Sequence, residues 1–342
     1  MNLVMLVRFS LILTFVVIIL GAYTRLADAG LGCPDWPGCY GQLTVPTDAK
    51  ELLQANQRYP DLTVEPDKAW LEMIHRYFAG TLGLAIFAIL AVCVMNRAQR
   101  PQTPLYLPLA LCAIVVFQAL LGMWTVTLKL MPIVVMGHLL GGFTLLCGLA
   151  LLYWCLIKDE MPIDHLAIPP MLRPLAVVTL MVVIAQIALG GWTSSNYAAL
   201  MCTALPICEG NWMTYLDFGT AFKLIQPGHD SYEFGVLDYG ARMTIHVSHR
   251  IGAMVTTMVA LILVRQCFAQ PIPELNRMGW RILVVLTLQI LLGISNVAFS
   301  LPLAVAVAHN LVAALLLLSV LHVNFLLWHP NEAIELNKER IS

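Results

Sequence analysis

Residues 72–83 read Glu72-Met73-Ile74-His75-Arg76-Tyr77-Phe78-Ala79-Gly80-Thr81-Leu82-Gly83 and lead from a long polar segment into an apolar run. On a helix, positions three apart share a face, so the Glu72 carboxylate and the His75 imidazole point the same way. Taken alone, the pair is equally well a carboxylate in the positive first turn of a helix beside an interfacial histidine. The chain, however, writes most of the arrangement again at His246-Val247-Ser248-His249-Arg250. That duplication decides the fold.

The 342 residues are 59% hydrophobic and 11% charged, with a mean hydropathy of +0.80, which belongs to a bilayer and not to a soluble domain. A net charge of -1 leaves no basic excess to neutralise phosphates, so no nucleic-acid partner is expected. The first apolar run, from about Phe9 to Leu20, lacks a small-residue cleavage site and continues into Gly21-Ala22-Tyr23-Thr24. It reads as a retained helix.

Crossing a hydrocarbon core of ~30 Å takes ~20 residues. Apolar stretches of that order fall at residues 7–25, 73–95, 105–127, 132–157, 173–194, 244–266, 280–299 and 303–328. No strand-period alternation runs through them, so a bundle of eight transmembrane helices is expected. Arg8, Arg97, Arg100, Lys158, Arg173, Arg265, Arg277, Arg281, Lys338 and Arg340 fall on one side, which the positive-inside rule makes cytoplasmic. Both termini are then cytoplasmic, and the opposite side is the periplasm if the membrane is a bacterial inner membrane. The long acidic loops, about 26–71 and 195–241, face outward.

Gln118-Ala-Leu-Leu-Gly122 stands before His138 as Gln289-Ile-Leu-Leu-Gly293 stands before His309, with Pro132 or Pro302 in between. Gly21-Ala-Tyr-Thr24 precedes Cys33 and Cys39 as Gly190-Gly-Trp-Thr193 precedes Cys202 and Cys208. The offsets agree: 202 − 33 = 169, 249 − 75 = 174 and 309 − 138 = 171. Four helices per copy is an even number, so the copies share one orientation about an axis along the membrane normal. The expected architecture is all-α: two pseudo-symmetric four-helix bundles, residues 1–160 and 161–342.

His75, His138, His249 and His309 take equivalent places on the second and fourth helix of each bundle, near the outer face. An ionisable group in a membrane is costly, and its repetition at duplicated positions asks for a shared reason. Two imidazoles on facing helices can hold a heme iron from both sides. Zinc fits less well, since no third carboxylate or thiolate ligand recurs at that depth. Arg76 and Arg250 follow two of these ligands, and guanidinium forks suit heme propionates. Arg25 and Arg242 are equally well snorkelling interfacial residues. His165, His229, His322 and His329 are assigned no role. His246 is different: aligning His249 on His75 places it on Glu72, the position where the halves differ most in chemistry.

Cys93, Cys112, Cys147, Cys155 and Cys267 are scattered and read as packing residues. Cys33 with Cys39 and Cys202 with Cys208 lie in the outward loops, where disulfides persist. Closing so short a loop stabilises by only about 2–3 kcal/mol. A shaping or redox role and a plain staple both remain open.

The Gly-Cys-Pro-Asp-Trp-Pro-Gly-Cys loop (32–39), Glu-Met-Ile-His-Arg (72–76), Gly-His-Leu (137–139), His-Val-Ser-His-Arg (246–250) and Ala-His-Asn (308–310) together resemble the heme A synthase family of bacteria and mitochondria over nearly the whole chain. That resemblance implies an oxidoreductase that converts the C8 ring methyl of heme O to a formyl group by two successive hydroxylations, yielding heme A for terminal oxidases. It implies heme b as cofactor on His249 and His309, with Arg250 toward a propionate. Heme O, the substrate, would sit on His75 and His138, with Arg76 toward a propionate and Glu72 as catalytic carboxylate. Contacts with a heme O synthase prenyltransferase and with terminal-oxidase assembly are implied as well; the electron acceptor is not. A non-enzymatic dihaem cytochrome is the alternative, and would show no dependence on Glu72. A transporter of parallel repeats is disfavoured by a midplane without broken helices or paired charges.

Overall fold

The structure, a computed structural model, describes residues 2–97, 103–157 and 169–328. Arg100, Lys158, His165, His329, Lys338 and Arg340 lie outside the described residues. Ten α-helices follow in order: α1 Leu3–Leu26, α2 Ala49–Arg58, α3 Pro66–Arg97, α4 Tyr106–Thr127, α5 Pro132–Ile157, α6 Leu172–Ser195, α7 Phe218–Ala221, α8 Tyr239–Phe268, α9 Pro273–Ala298 and α10 Leu303–Trp328. All except α2 and α7 are long and apolar enough to cross a membrane. The chain is a multi-pass membrane protein.

The eight spans match the expected stretches, but four begin several residues earlier, α1 among them at Leu3. The α3 helix starts at Pro66, α8 at Tyr239 and α9 at Pro273. Hydropathy marks where a helix enters hydrocarbon, whereas its start is set by backbone chemistry. Asp238, for example, accepts from Ala241 N at 2.8 Å and caps α8 before its apolar run begins. Glu72 and His75 therefore sit more than a turn inside α3, on rigid helix. The α2 helix is an addition. Its signature, Asp48 followed three residues later by Glu51, forms a capping box.

Two closed rings emerge from the packing. In the first, α1 packs on α3, α3 on α4, α4 on α5 and α5 on α1. In the second, α6 packs on α8, α8 on α9, α9 on α10 and α10 on α6. The first ring shares a buried core that includes Leu6, Leu13, Ile86, Leu111 and Leu149. The second has Val183, Leu263, Ile282 and Val320, extended by Phe143 and Leu146 of α5. The rings meet where α1 and α5 pack against α6 and α10. Large apolar side chains such as Leu84, Phe117, Met181 and Leu291 face outward, as lipid contact requires.

The turns repeat too. Lys129 and Leu130, joining α4 to α5, are both left-handed, and so are Ser300 and Leu301, joining α9 to α10. Asp28 and Tyr197 share the same conformation just past α1 and α6. There the bundles are tied together: Arg25 donates to Ser194 O at 2.6 Å and its guanidinium lies 4.1 Å from the Tyr197 ring centre.

Arg25→Ala removes a charge-assisted hydrogen bond and a cation–π contact together, at a cost of about 2 kcal/mol. Its thermal transition in detergent is expected below that of the parent. Lys68→Ala, which breaks only the exposed pair with Glu65, should leave it unchanged.

Candidate active site

His75 on α3 and His138 on α5 stand diagonally across the first bundle, with ring centres 6.4 Å apart and planes at 87°. Two imidazole nitrogens sharing one metal at ~2 Å each stand about 4 Å apart, which sets the ring centres roughly 6 Å apart. The observed spacing fits one iron. The Nδ1 atoms of both rings are buried without a hydrogen-bond partner. In the second bundle His249 on α8 and His309 on α10 take the same diagonal. The Nδ1 of His249 lies 3.0 Å from Gln186 Nε2, and His309 Nε2 lies 3.3 Å from Gln289 Nε2. Among the described residues, no group of three or more His, Cys, Asp or Glu side chains gathers into a metal cluster.

Each imidazole rests against a glycine. A Cβ added to Gly21 would meet His75 Cε1 at 2.9 Å, and one on Gly122 would meet His138 Cε1 at 3.4 Å. The same additions at Gly190 and Gly293 would meet His249 and His309 at 3.1 and 3.2 Å. At Gly21, Gly190 and Gly293 the neighbouring helix bares its backbone so that a ring edge can lie closer than a Cβ would allow; at Gly122 the contact is an ordinary one. These glycines stand in the repeated blocks of the sequence, yet their role needed the helix pairing to be read. Gln186 was missed for a similar reason, because its counterpart in the first half, Val17, is apolar.

Above the histidines each bundle carries an arginine clamp. Arg76 donates to the carbonyls of Asp35 at 3.0 Å and Pro37 at 3.2 Å, and to that of Gly38. Arg250 donates to Ala204, at 2.6 Å, and to Ile207 and Cys202. Both loops are closed by disulfides, Cys33–Cys39 and Cys202–Cys208. The two guanidinium groups, expected beside propionates, are here engaged with loop carbonyls. Arg25 belongs to the tie between bundles, and Arg242 keeps a buried Nε without a partner.

Glu72 and His246 occupy the same place beneath these clamps. Cys33 N donates to Glu72 Oε2 at 2.9 Å, while Arg76 pairs with Oε1. Cys202 N approaches His246 Nδ1 at 3.3 Å, and Arg250 Nε approaches Nε2 at 3.2 Å. A carboxylate accepts at both oxygens; a neutral imidazole accepts at one nitrogen only. The scaffold is thus duplicated and the acceptor is not: one half buries a carboxyl group, with 5% of Glu72 exposed, and the other an imidazole.

Because Arg76 neutralises a buried charge, Arg76→Ala is expected to destabilise by about 3 kcal/mol. The double variant Arg76→Ala/Glu72→Ala should recover part of that loss in thermal unfolding. A double variant no more stable than the single one would mean that the clamp acts only through the loop carbonyls.

The profile of the COX15-CtaA family, described as cytochrome oxidase assembly protein, matches residues 4–321. A heme A synthase of Shewanella oneidensis is 53% identical over 338 residues, covering 97% of this chain and 99% of the relative. The heme A synthases of Nitrosospira multiformis and Rickettsia prowazekii are 26% and 24% identical, covering 91% and 93% of this chain and 89% and 95% of theirs. The site geometry and these matches lead to one conclusion: the chain belongs to the COX15-CtaA family of cytochrome oxidase assembly proteins.

Proposed function

We propose that this chain is a heme A synthase, an oxidoreductase that converts the C8 methyl of heme O to the formyl group of heme A. One observation carries the division of labour between the halves: Glu72 stands where the second bundle has His246, in otherwise matching hydrogen-bond surroundings. The substrate belongs in the bundle of residues 1–160, on His75 and His138. Heme b belongs in that of residues 161–342, on His249 and His309. The imidazole spacing in the first bundle, the glycines packed against all four rings and the unpartnered Nδ1 atoms of His75, His138 and His309 support a fit of the bundles to an iron porphyrin. The basic ends of the spans, at Arg8, Arg97, Arg173, Arg265, Arg277 and Arg281, support cytoplasmic termini in a bacterial inner membrane. A substrate delivered by a heme O synthase and a product taken by terminal oxidases make contacts with both part of this reading.

Methyl to formyl is a four-electron oxidation. Two successive hydroxylations each remove two electrons, and the resulting gem-diol loses water to the aldehyde. When bound, heme b supplies a one-electron redox centre. The protein contributes position and charge. His75 and His138 orient the ring, and the glycines fix the imidazoles. Glu72, one turn above His75 on the same helix, presents a carboxylate whose two oxygens are already held by Cys33 N and Arg76. Such an anion stabilises positive charge developing at the methyl carbon, or takes the proton of the attacking oxygen nucleophile. The disulfide-closed loop over it shields that carbon from bulk water.

Glu72→His copies the second bundle into the first and keeps an acceptor for Cys33 N. It is expected to abolish heme A while both histidine pairs still fill with heme, and Glu72→Ala should do the same. Pigment extraction reads the result; normal heme A output from either variant refutes the catalytic role, as the dihaem alternative requires.

His309→Ala should remove the low-spin b-type spectrum from the purified protein. Gly293→Val, which leaves every proposed ligand in place but fills the notch, should weaken heme retention by roughly tenfold or more. An unchanged spectrum in both would show that the second-bundle ligands are misassigned.

A further inference from the structure

At the end of the protein away from the four histidines, a cavity of about 350 Å³ opens between the bundles, lined from α5, α9 and α10. Along α10 from His309 to His322 the helix advances ~20 Å, so this space is separate from the heme sites. Arg281 lines it, and among the described residues no carboxylate pairs with that guanidinium; its one polar contact is the Met278 sulfur at 4.0 Å. A second cation, Arg8, reaches the rim through the Tyr153 hydroxyl at 2.9 Å. The His322 ring lies flat on Trp154, with centres 4.3 Å apart, and its Nε2 is buried without a hydrogen-bond partner. None of the described lining residues is acidic, and the rest of the wall is mostly apolar.

We propose that this cavity binds the headgroup of an anionic phospholipid from the leaflet on that side. The phosphate accepts from Arg281 and from His322 Nε2–H, Arg8 adds positive charge at the rim, and the apolar wall takes the start of an acyl chain. An unpaired guanidinium fork and a buried ring nitrogen both call for an acceptor, and phosphate oxygens supply several. At the basic end of a helical bundle the abundant acceptor is an acidic lipid. A volume of this order holds a glycerophosphate headgroup, not a whole lipid.

Native mass spectrometry of the full chain, released from nanodiscs with equal amounts of phosphatidylglycerol and phosphatidylcholine, reads the preference. Phosphatidylglycerol is expected to be retained over phosphatidylcholine. That retention should fall roughly tenfold in Arg281→Gln and return in part in Arg281→Lys. Arg277→Gln should leave it unchanged, since Arg277 is 71% exposed and faces Glu274 on the same helix. If Arg281→Gln loses its thermal transition, His322→Leu carries the same comparison. Equal retention of the two lipids, an equal loss in Arg277→Gln, a co-purifying quinone in place of lipid, or binding of added inorganic phosphate without lipid preference overturns the proposal.

Discussion

A largely buried arginine beneath each disulfide-closed loop holds the working end of this protein together. Arg76 and Arg250 each join a disulfide-closed loop, through its carbonyls, to a polar acceptor one turn up the helix that presents a histidine, an acceptor that a cysteine N–H of the same loop also meets. Loop carbonyls near the membrane face have no strand or helix to satisfy them, and a guanidinium offers enough donors to serve several at once. The loop is thereby fixed in height above the histidine pair. The disulfide makes the loop short, and the arginine decides where it sits.

The clamp also explains why the acceptor beneath it can change without disturbing the fold. Both Glu72 and His246 meet a cysteine N–H from above and an arginine from the side. Either residue type satisfies the scaffold, the imidazole less completely. A buried carboxyl group has a large desolvation cost, and the arginine already fixed beside it offsets part of that cost in this place. The geometry needed for structure therefore leaves the charge at one position free to serve chemistry.

Much of this was legible in the sequence. The eight spans follow from apolar length, and the duplication follows from the spacing of Cys33, His75 and His138 against Cys202, His249 and His309. Helix starts at Leu3, Pro66, Tyr239 and Pro273 were not, because they lie beyond the apolar runs, where Asn2 and Asp238 cap two of them and a proline opens each of the other two. The engagement of Arg76 with Asp35, Pro37 and Gly38 was not legible either: carbonyls leave no residue-type signature, whereas an expected propionate does suggest a partner. Gly21, Gly122, Gly190 and Gly293 were visible as conserved spacing within the chain, but which ring each glycine admits depends on how neighbouring helices pair.

The pairing also bears on why the halves diverged at their histidines. In the second bundle Gln186 reaches His249 Nδ1, whereas Gln289 meets His309 at Nε2 and leaves its Nδ1 without a partner. In the first, Val17 replaces Gln186, and the Nδ1 atoms of His75 and His138 have no partner. Hydrogen bonds from behind a metal-binding imidazole fix its orientation and strengthen its hold. A bundle that keeps its heme benefits from such support, whereas one that must admit a substrate and release a product of nearly the same shape is impeded by it. Under the proposed assignment, the carboxylate and the histidine without such a bond, His75 against His249, fall in the same bundle, and the two differences act together: reaction and turnover on one side, retention on the other.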